Sequence, residues 1–341
     1  MAPTASWIAS RPEVSMAEAA TALQRWWGLA GQLDDLPSER DRNVLVRDVD
    51  GRPTHVLKIA NLAEEPAFLE CQHEAMVRVG RGGVPVQQVT TAVDGRELVA
   101  LGDPGPPWAR VLTWLPGRTL ALITAPSSDL WTNLGATMGR SATALLDFDH
   151  PAARREFQWD VLRAESVIAG GLGDVDDPDH RRLLAGVHDR LRADLVPRLT
   201  TLRRSPIHND ANDHNVLVND NGSRVAGLLD FGDMVHSVTA QEAAVTCAYA
   251  MFGRGDPVAV MEAVVAGFTT TCPLTVDELD ALPSLILARL AMSVAIAASQ
   301  ARLSPDPYLR VSEEPAWDLL KRLAAMPPSQ LREHAHGAAG R

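Results

Sequence analysis

The sequence predicts an α+β chain of two lobes, a small β-rich one over residues 1–113 and a larger helical one over residues 114–341. Three features carry that expectation. Two apolar, strand-like runs flank an Asp50-Gly51 turn within residues 44–59, which is a hairpin signal. The texture then changes at Trp114-Leu-Pro-Gly. Beyond residue 120, apolar residues recur mostly at the three- and four-residue spacing of helices.

The elements follow in order. Residues 15–27 place Met16, Ala19, Ala20, Leu23 and Trp27 at helical spacing. After the hairpin, residues 66–79 read as a helix, with Pro66 suited to its first turn. Short strands are expected at 84–90, 97–101 and 110–115, with Asp103-Pro-Gly-Pro-Pro as a loop. Helices are expected at 130–146 and 180–202. A strand pair at 215–219 and 224–230 interrupts them, with Asn219-Asp-Asn-Gly as its turn. Further helices are expected at 240–252, 257–270, 276–300 and 315–325, and the small polar tail from Gln330 is expected to fray.

Composition narrows the function classes. Apolar residues make up 46% of 341, enough for a sizeable core. A net charge of −11 argues against nucleic-acid and anionic-membrane partners, whose phosphates attract basic surfaces. Cys71, Cys247 and Cys272 are odd in number and dispersed, so they form neither a disulfide framework nor a metal cluster. Reduced thiols and the lack of a secretory signal point to a soluble, cytoplasmic protein. Residues 285–298 are apolar, but Arg289 interrupts them and the run is short for a bilayer, so a buried helix is expected.

The chemistry lies in Ile207-His-Asn-Asp-Ala-Asn-Asp-His-Asn-Val-Leu-Val and Val225-Ala-Gly-Leu-Leu-Asp-Phe-Gly-Asp. Asp210 and Asn215 stand five apart in a loop entering a strand, and a returning hairpin brings Asp230 close to Asn215. Asn- and Asp-rich loops are ordinary turn chemistry one residue at a time. The joint pattern is far rarer and suits phosphoryl transfer. One carboxylate orients an acceptor hydroxyl and takes its proton, while oxygen ligands hold Mg²⁺ between the β- and γ-phosphates. Asp210 is assigned the first role, Asn215 and Asp230 the metal, and His208 a structural one.

These motifs resemble those of the aminoglycoside phosphotransferase superfamily, relatives of protein kinases. Within it, His208-Asn-Asp-Ala-Asn-Asp-His-Asn, Asp230-Phe-Gly-Asp-Met, Leu36-Pro-Ser-Glu-Arg-Asp-Arg-Asn-Val-Leu and Val56-Leu-Lys-Ile-Ala-Asn resemble the hydroxylysine kinase-like branch. That branch includes phosphotransferase modules fused to aminotransferases. The resemblance spans roughly residues 20–325. It implies a protein-kinase-like bilobal fold, an active site between the lobes, and ATP or GTP with Mg²⁺.

The resemblance makes Lys58 the strand lysine on the α- and β-phosphates, paired with Glu74 or, one turn earlier, Glu70. It implies that Ser38, Arg40 and Asn43 cover the triphosphate in place of a glycine-rich loop. Their alternative is a solvated charged loop. Residues 111–115, with Thr113 at their centre, would be the connector whose backbone pairs with the base. Asn209 departs from the glycine of aminoglycoside kinases and the arginine of protein kinases, which puts regulation by phosphorylation in doubt.

The acceptor is expected to be a small, hydroxylated, cationic molecule. Asp233, Asp213 and Glu242 lie near the catalytic segment and suit an amine. For Asp233 a turn or helix N-cap is an equal alternative. Arg289 needs a partner on its apolar helix, either a substrate carboxylate or, more commonly, a structural ion pair. Trp159 and the Trp26-Trp27 pair read as packing residues. The leading function is a kinase for hydroxylysine or a related amino alcohol. An aminoglycoside or peptide-antibiotic phosphotransferase is the rival, and a nucleotide-binding pseudokinase the third reading. The last conflicts with the presence of Lys58, Asp210, Asn215 and Asp230 together.

Overall fold

The computed structural model describes residues 12–38, 40–102, 105–303 and 313–340. Internal contacts divide the chain into two compact units. One takes the chain up to Val77 together with Val86–Leu115, and the other takes Arg78–Pro85 with Pro116–Arg341.

The first unit opens with helix α1 (Met16–Trp27), which starts where a capping box forms: the Ser15 hydroxyl accepts from the Glu18 N–H, and the Glu18 carboxylate accepts from the Ser15 N–H. Strand β1 (Gln32–Leu36) follows, then β2 (Arg42–Arg47) and β3 (Pro53–Ile59). Helix α2 (Pro66–Arg81) precedes β4 (Val89–Thr90), β5 (Val99–Gly102) and β6 (Gly105–Thr113). The sheet is antiparallel in the order β1-β2-β3-β6, and β4 and β5 both pair with β6. Strand β1 was not expected, because Gln-Leu-Asp-Asp-Leu has two acids where an apolar run would announce a strand. The expected loop at 103–107 is shorter than supposed: β6 already starts at Gly105, and Asp103 and Pro104 lie outside the described residues.

Side-chain alternation along β3 settles the faces of this sheet. Leu57 and Ile59 enter a core with Val44, Val46, Ala109 and Val111, which α1 covers with Ala19, Leu23 and Trp27. Lys58 stands between them in sequence and therefore faces the other way. Its cross-strand neighbours on that face are Asn43 and Arg110.

The second unit begins its regular structure with β7 (Arg118–Thr119), α3 (Ser128–Leu145), α4 (Ala164–Gly171) and α5 (Pro178–Asp194). Four short strands follow: β8 (Arg204–Ile207), β9 (Val216–Val218), β10 (Val225–Leu228) and β11 (Val235–Val238). Strands β10, β9 and β7 form one antiparallel sheet, and β11 pairs with β8. The rest is helical: α6 (Ala240–Ala250), α7 (Pro257–Thr271), α8 (Val276–Leu303), α9 (Glu313–Ala324) and α10 (Pro328–Ala338).

One expectation is corrected here, and the buried helix holds over a longer span. The tail does not fray: α10 buries Leu331 and Ala335, and Arg332 donates to the Asp194 carboxylate at 2.6 Å. The apolar helix runs the full 28 residues of α8, long and apolar enough to cross a membrane by length and composition, yet its most apolar window is wholly buried within the fold.

Helices α3 and α7 touch backbone to backbone through glycines. A Cβ at Gly135 would stand 2.0 Å from the Val264 carbonyl oxygen, and one at Gly267 would stand 1.9 Å from that of Thr132. Gly186, within α5, faces nothing within 4 Å. Gly135→Ala is therefore expected to destabilise the protein by about 1–3 kcal/mol or more through backbone displacement, despite the better helix propensity of alanine. Gly186→Ala should instead stabilise by about 0.5–1 kcal/mol. Denaturant unfolding of both variants checks this, and a stable Gly135→Ala would refute the close contact.

Candidate active site

Two strand pairings set the loop carrying Asp210 beside the Asp-Phe-Gly segment. Residues 208–215 lie between β8 and β9, and residues 229–234 lie between β10 and β11. Because β8 pairs with β11 and β9 with β10, the two loops run side by side from both ends. The Leu229 N–H donates to the Asn215 carbonyl at 2.8 Å, so Asn215 and Asp230 become neighbours. Strands β8 and β11 were absent from the sequence expectation, since Arg-Ser-Pro-Ile carries a proline and only four residues.

Asp210 is held from several sides. Its Oδ2 accepts from Asn215 Nδ2 at 2.6 Å and its Oδ1 from Asn212 Nδ2 at 3.0 Å. Arg289 Nη2 stands 3.6 Å from Oδ1. The side chain is 18% exposed, the opening through which a hydroxyl could reach it. Burial raises its carboxyl well above the usual range, the Asp233 charge adds to this, and Arg289 opposes it. Such a carboxylate is a stronger proton acceptor than a free one.

His208 is structural, as expected. Its Nδ1 accepts from the Asp210 N–H at 3.2 Å, which leaves the proton on Nε2 to donate to the Leu229 carbonyl at 2.8 Å. The Phe231 ring meets it edge to face at 4.8 Å. Burial lowers its pKa, consistent with this neutral tautomer. Asn209 and Asp230 both adopt left-handed backbone, with φ of 67° and 53°. Asparagine and aspartate tolerate that region better than most residues. The Asn209 side chain also bridges the Asp233 carbonyl and Gln241 Nε2.

Glu242 is reassigned. It is 0% exposed, and its Oε2 accepts the N–H groups of His208 at 2.6 Å and Asn209 at 3.2 Å. It braces the loop from beneath and does not face an acceptor. Burial pushes its carboxyl up to about 7. Asp213 acts elsewhere too: its charge acts on Arg254, and its carbonyl accepts from the Ala121 N–H. Asp233, 7% exposed, acts on both Asp210 and Arg289. Trp159, read from the sequence as packing, stacks on the Arg289 guanidinium at 4.3 Å. Tyr249 and Gln241, which complete this environment, carried no sequence signal beyond helical spacing.

In the sheet unit, Lys58 is 6% exposed, on the face it shares with Asn43 and Arg110. Glu74 and Glu70, the expected partners of Lys58, both lie on the exposed face of α2. That helix instead turns Gln72 inward, where its Oε1 accepts from Arg110 Nη2 at 2.6 Å. Thr113 is corrected as well. Its N–H donates to the Gln88 carbonyl at 2.8 Å and its carbonyl accepts from Gln87 Nε2, so this backbone is already engaged within the sheet. Ser38 and Arg40 form the β1–β2 turn, with the Ser38 hydroxyl accepting from the Asp41 N–H and the Arg40 carbonyl from Asn61 Nδ2.

Among the described residues, no group of three or more His, Cys, Asp or Glu is placed to hold a metal. Asn215 and Asp230 nonetheless offer hard oxygen donors on two segments joined by the Leu229–Asn215 backbone bond. Mg²⁺ is typically bound through one or two protein oxygens with phosphates and water completing its shell, so this pair fits it.

A family model described as the phosphotransferase enzyme family (APH) matches residues 35–280. The chain belongs to that family. The phosphotransferase is 28% identical to the hydroxylysine kinase of Mus musculus, over 98% of this chain and 96% of the relative. It is 30% identical to the hydroxylysine kinase of Danio rerio, over 92% of each. Among solved structures, an amicoumacin kinase matches with a TM-score of 0.69 at 15% identity, covering 93% of this chain and 97% of that one. A microcompartment-associated aminopropanol kinase matches at 0.67 and 19%, covering 95% of each. The α+β, kinase-like fold expected from the sequence is the fold of this phosphotransferase.

A test of the Glu242 brace follows from its titration. Its ordinary carboxyl value is near 4.5, and the folded value is about 7. Between those values the folded state keeps a proton that the unfolded chain releases, so stability falls as pH rises through the window. Glu242→Gln preserves an acceptor for the two N–H groups and removes the titration. Between about pH 5 and about pH 7.5, urea unfolding of this variant should lose about 2–3 kcal/mol less than the wild type. Equal slopes would show that Glu242 does not titrate in the fold.

Proposed function

We propose that this phosphotransferase moves the γ-phosphoryl group of ATP or GTP onto the hydroxyl of a small amine-bearing acceptor, hydroxylysine or a related amino alcohol. The observation that carries this reading is the Asp210 carboxylate, held by Asn212 and Asn215, facing Arg289 and partly open to solvent. Relatives named hydroxylysine kinase that match nearly the whole chain support the acceptor class. Antibiotic kinases share the fold, but at 15% identity such a likeness speaks to fold alone.

Asp210 orients the hydroxyl and receives its proton as the new O–P bond forms. Asn215 fixes the angle of that carboxylate. Asn215 and Asp230 would hold Mg²⁺, which when bound neutralises charge between the β- and γ-phosphates. Lys58, with Ser38, Arg40 and Asn43, forms the nucleotide-binding set, and Asp233 takes the acceptor amine. The net charge of −11 and three buried free cysteines support action in the cytoplasm, away from nucleic acid and membrane.

A coupled assay of nucleoside-diphosphate release with Mg·ATP and Mg·GTP tests this against hydroxylysine, amino alcohols, hydroxy acids and aminoglycosides. Asp210→Asn is expected to lower kcat by about 10²–10⁴-fold with nucleotide binding retained. Normal turnover by that variant would remove Asp210 from the mechanism. The acid limb of kcat/KM should also lie above the ordinary carboxylate range, because activity is lost as Asp210 takes up a proton at its raised pKa. A limb near the value of a free aspartate would contradict the burial described. Chelation of Mg²⁺ should abolish transfer, and Asp230→Asn should raise the Mg²⁺ concentration needed to restore it. Transfer that persists under chelation would remove the metal role of Asn215 and Asp230.

A further inference from the structure

Arg289 is the least satisfied side chain of the catalytic region. It stands halfway along α8, 3% exposed, with apolar helix on both sides. Its Nη2 donates to the Tyr249 hydroxyl at 3.1 Å and faces Asp210 Oδ1 at 3.6 Å, beyond hydrogen-bond length. The Trp159 ring covers one face of the guanidinium at 4.3 Å. Among the described residues, Nε and Nη1 have no hydrogen-bond partner. Neither Asp210 nor Glu242 supplies them, and Glu242 Oε1 is itself unpartnered. The ion pair with Asp210, made through Nη2, leaves these donors open.

Leaving buried guanidinium donors unmade is expensive, so the arrangement calls for an acceptor from outside the chain. Nε and Nη1 each share one fork of the guanidinium with Nη2. The group that matches either fork is a planar carboxylate bound through two parallel N–H···O bonds. Asp233 acts on the same guanidinium and on Asp210, so a cationic amine and an anionic carboxylate of one small molecule have complementary partners within reach of the proton acceptor.

We infer that Arg289 receives a carboxylate of the acceptor, which makes the substrate class hydroxy amino acids and excludes amino alcohols without an acid group. The inference rests on the proposed kinase reading and sharpens it. Arg289 is then a specificity-determining residue, and its closeness to Asp210 couples carboxylate binding to the position of the reacting hydroxyl.

The test compares hydroxylysine, its carboxamide and its decarboxylated diamino alcohol as acceptors for the intact enzyme with Mg·ATP. Wild-type kcat/KM should favour the free acid by about 100-fold over both analogues. In Arg289→Met, activity falls through the contact with Asp210, and the preference for the acid should collapse to within a few-fold. Arg289→Lys, which keeps the charge without the fork, should recover only part of it. The wild-type comparison needs no variant and stands even if Arg289→Met fails to fold. Equal use of acid and decarboxylated acceptor by the wild type would overturn the inference while leaving the kinase reading intact. An undiminished preference in Arg289→Met would do the same. Transfer to none of the three, with nucleotide bound, would overturn the amino-alcohol reading and this inference together.

Discussion

The guanidinium of Arg289 acts on Asp210, Asp233 and Glu242, and the loop carrying Asp210 is arranged around that charge. Burial drives the carboxyls of Asp210 and Glu242 towards protonation. Arg289 moderates the shift on Asp210 and on Glu242. Glu242, at the start of α6, holds the loop by its His208 and Asn209 N–H groups, while His208 clasps the Leu229 carbonyl ahead of Asp230. Burial, charge and loop geometry thus depend on one another: moving α8 would change the protonation of the brace as well as that of Asp210.

What the sequence made legible was local. His208, Asp210, Asn215 and Asp230 lie within one loop-strand-turn-strand stretch, and the pattern names its own geometry. Asp233 was reachable for the same reason. Glu242 was not, because closeness in sequence says nothing about whether a first-turn helix residue points into solvent or under the loop. Arg289 comes from a helix that follows two others, and only the packing of α8 brings it to Asp210. The strands β8 and β11, which close the outer ends of the two loops, are too short and too polar to announce themselves.

The sheet unit teaches a similar lesson about helix phase. Glu70 and Glu74 share one face of α2, so choosing between them assumed that this face turns inward. It does not, and Gln72 takes the inward position beside the row of Asn43, Lys58 and Arg110. Thr113 failed for a different reason: its N–H is consumed by the chain just before β4, a pairing that side-chain pattern does not reveal.

Helix α8 has the length and hydropathy of a bilayer span, and Arg289 stands at its midpoint. As the chain leaves the ribosome, insertion machinery would meet an apolar segment before its packing partners α9 and α10 have been made. An arginine at the centre of such a segment opposes partition into lipid by about 2.5–3.5 kcal/mol. The side chain that faces the buried carboxylates in the finished fold therefore also biases the newborn chain away from the membrane.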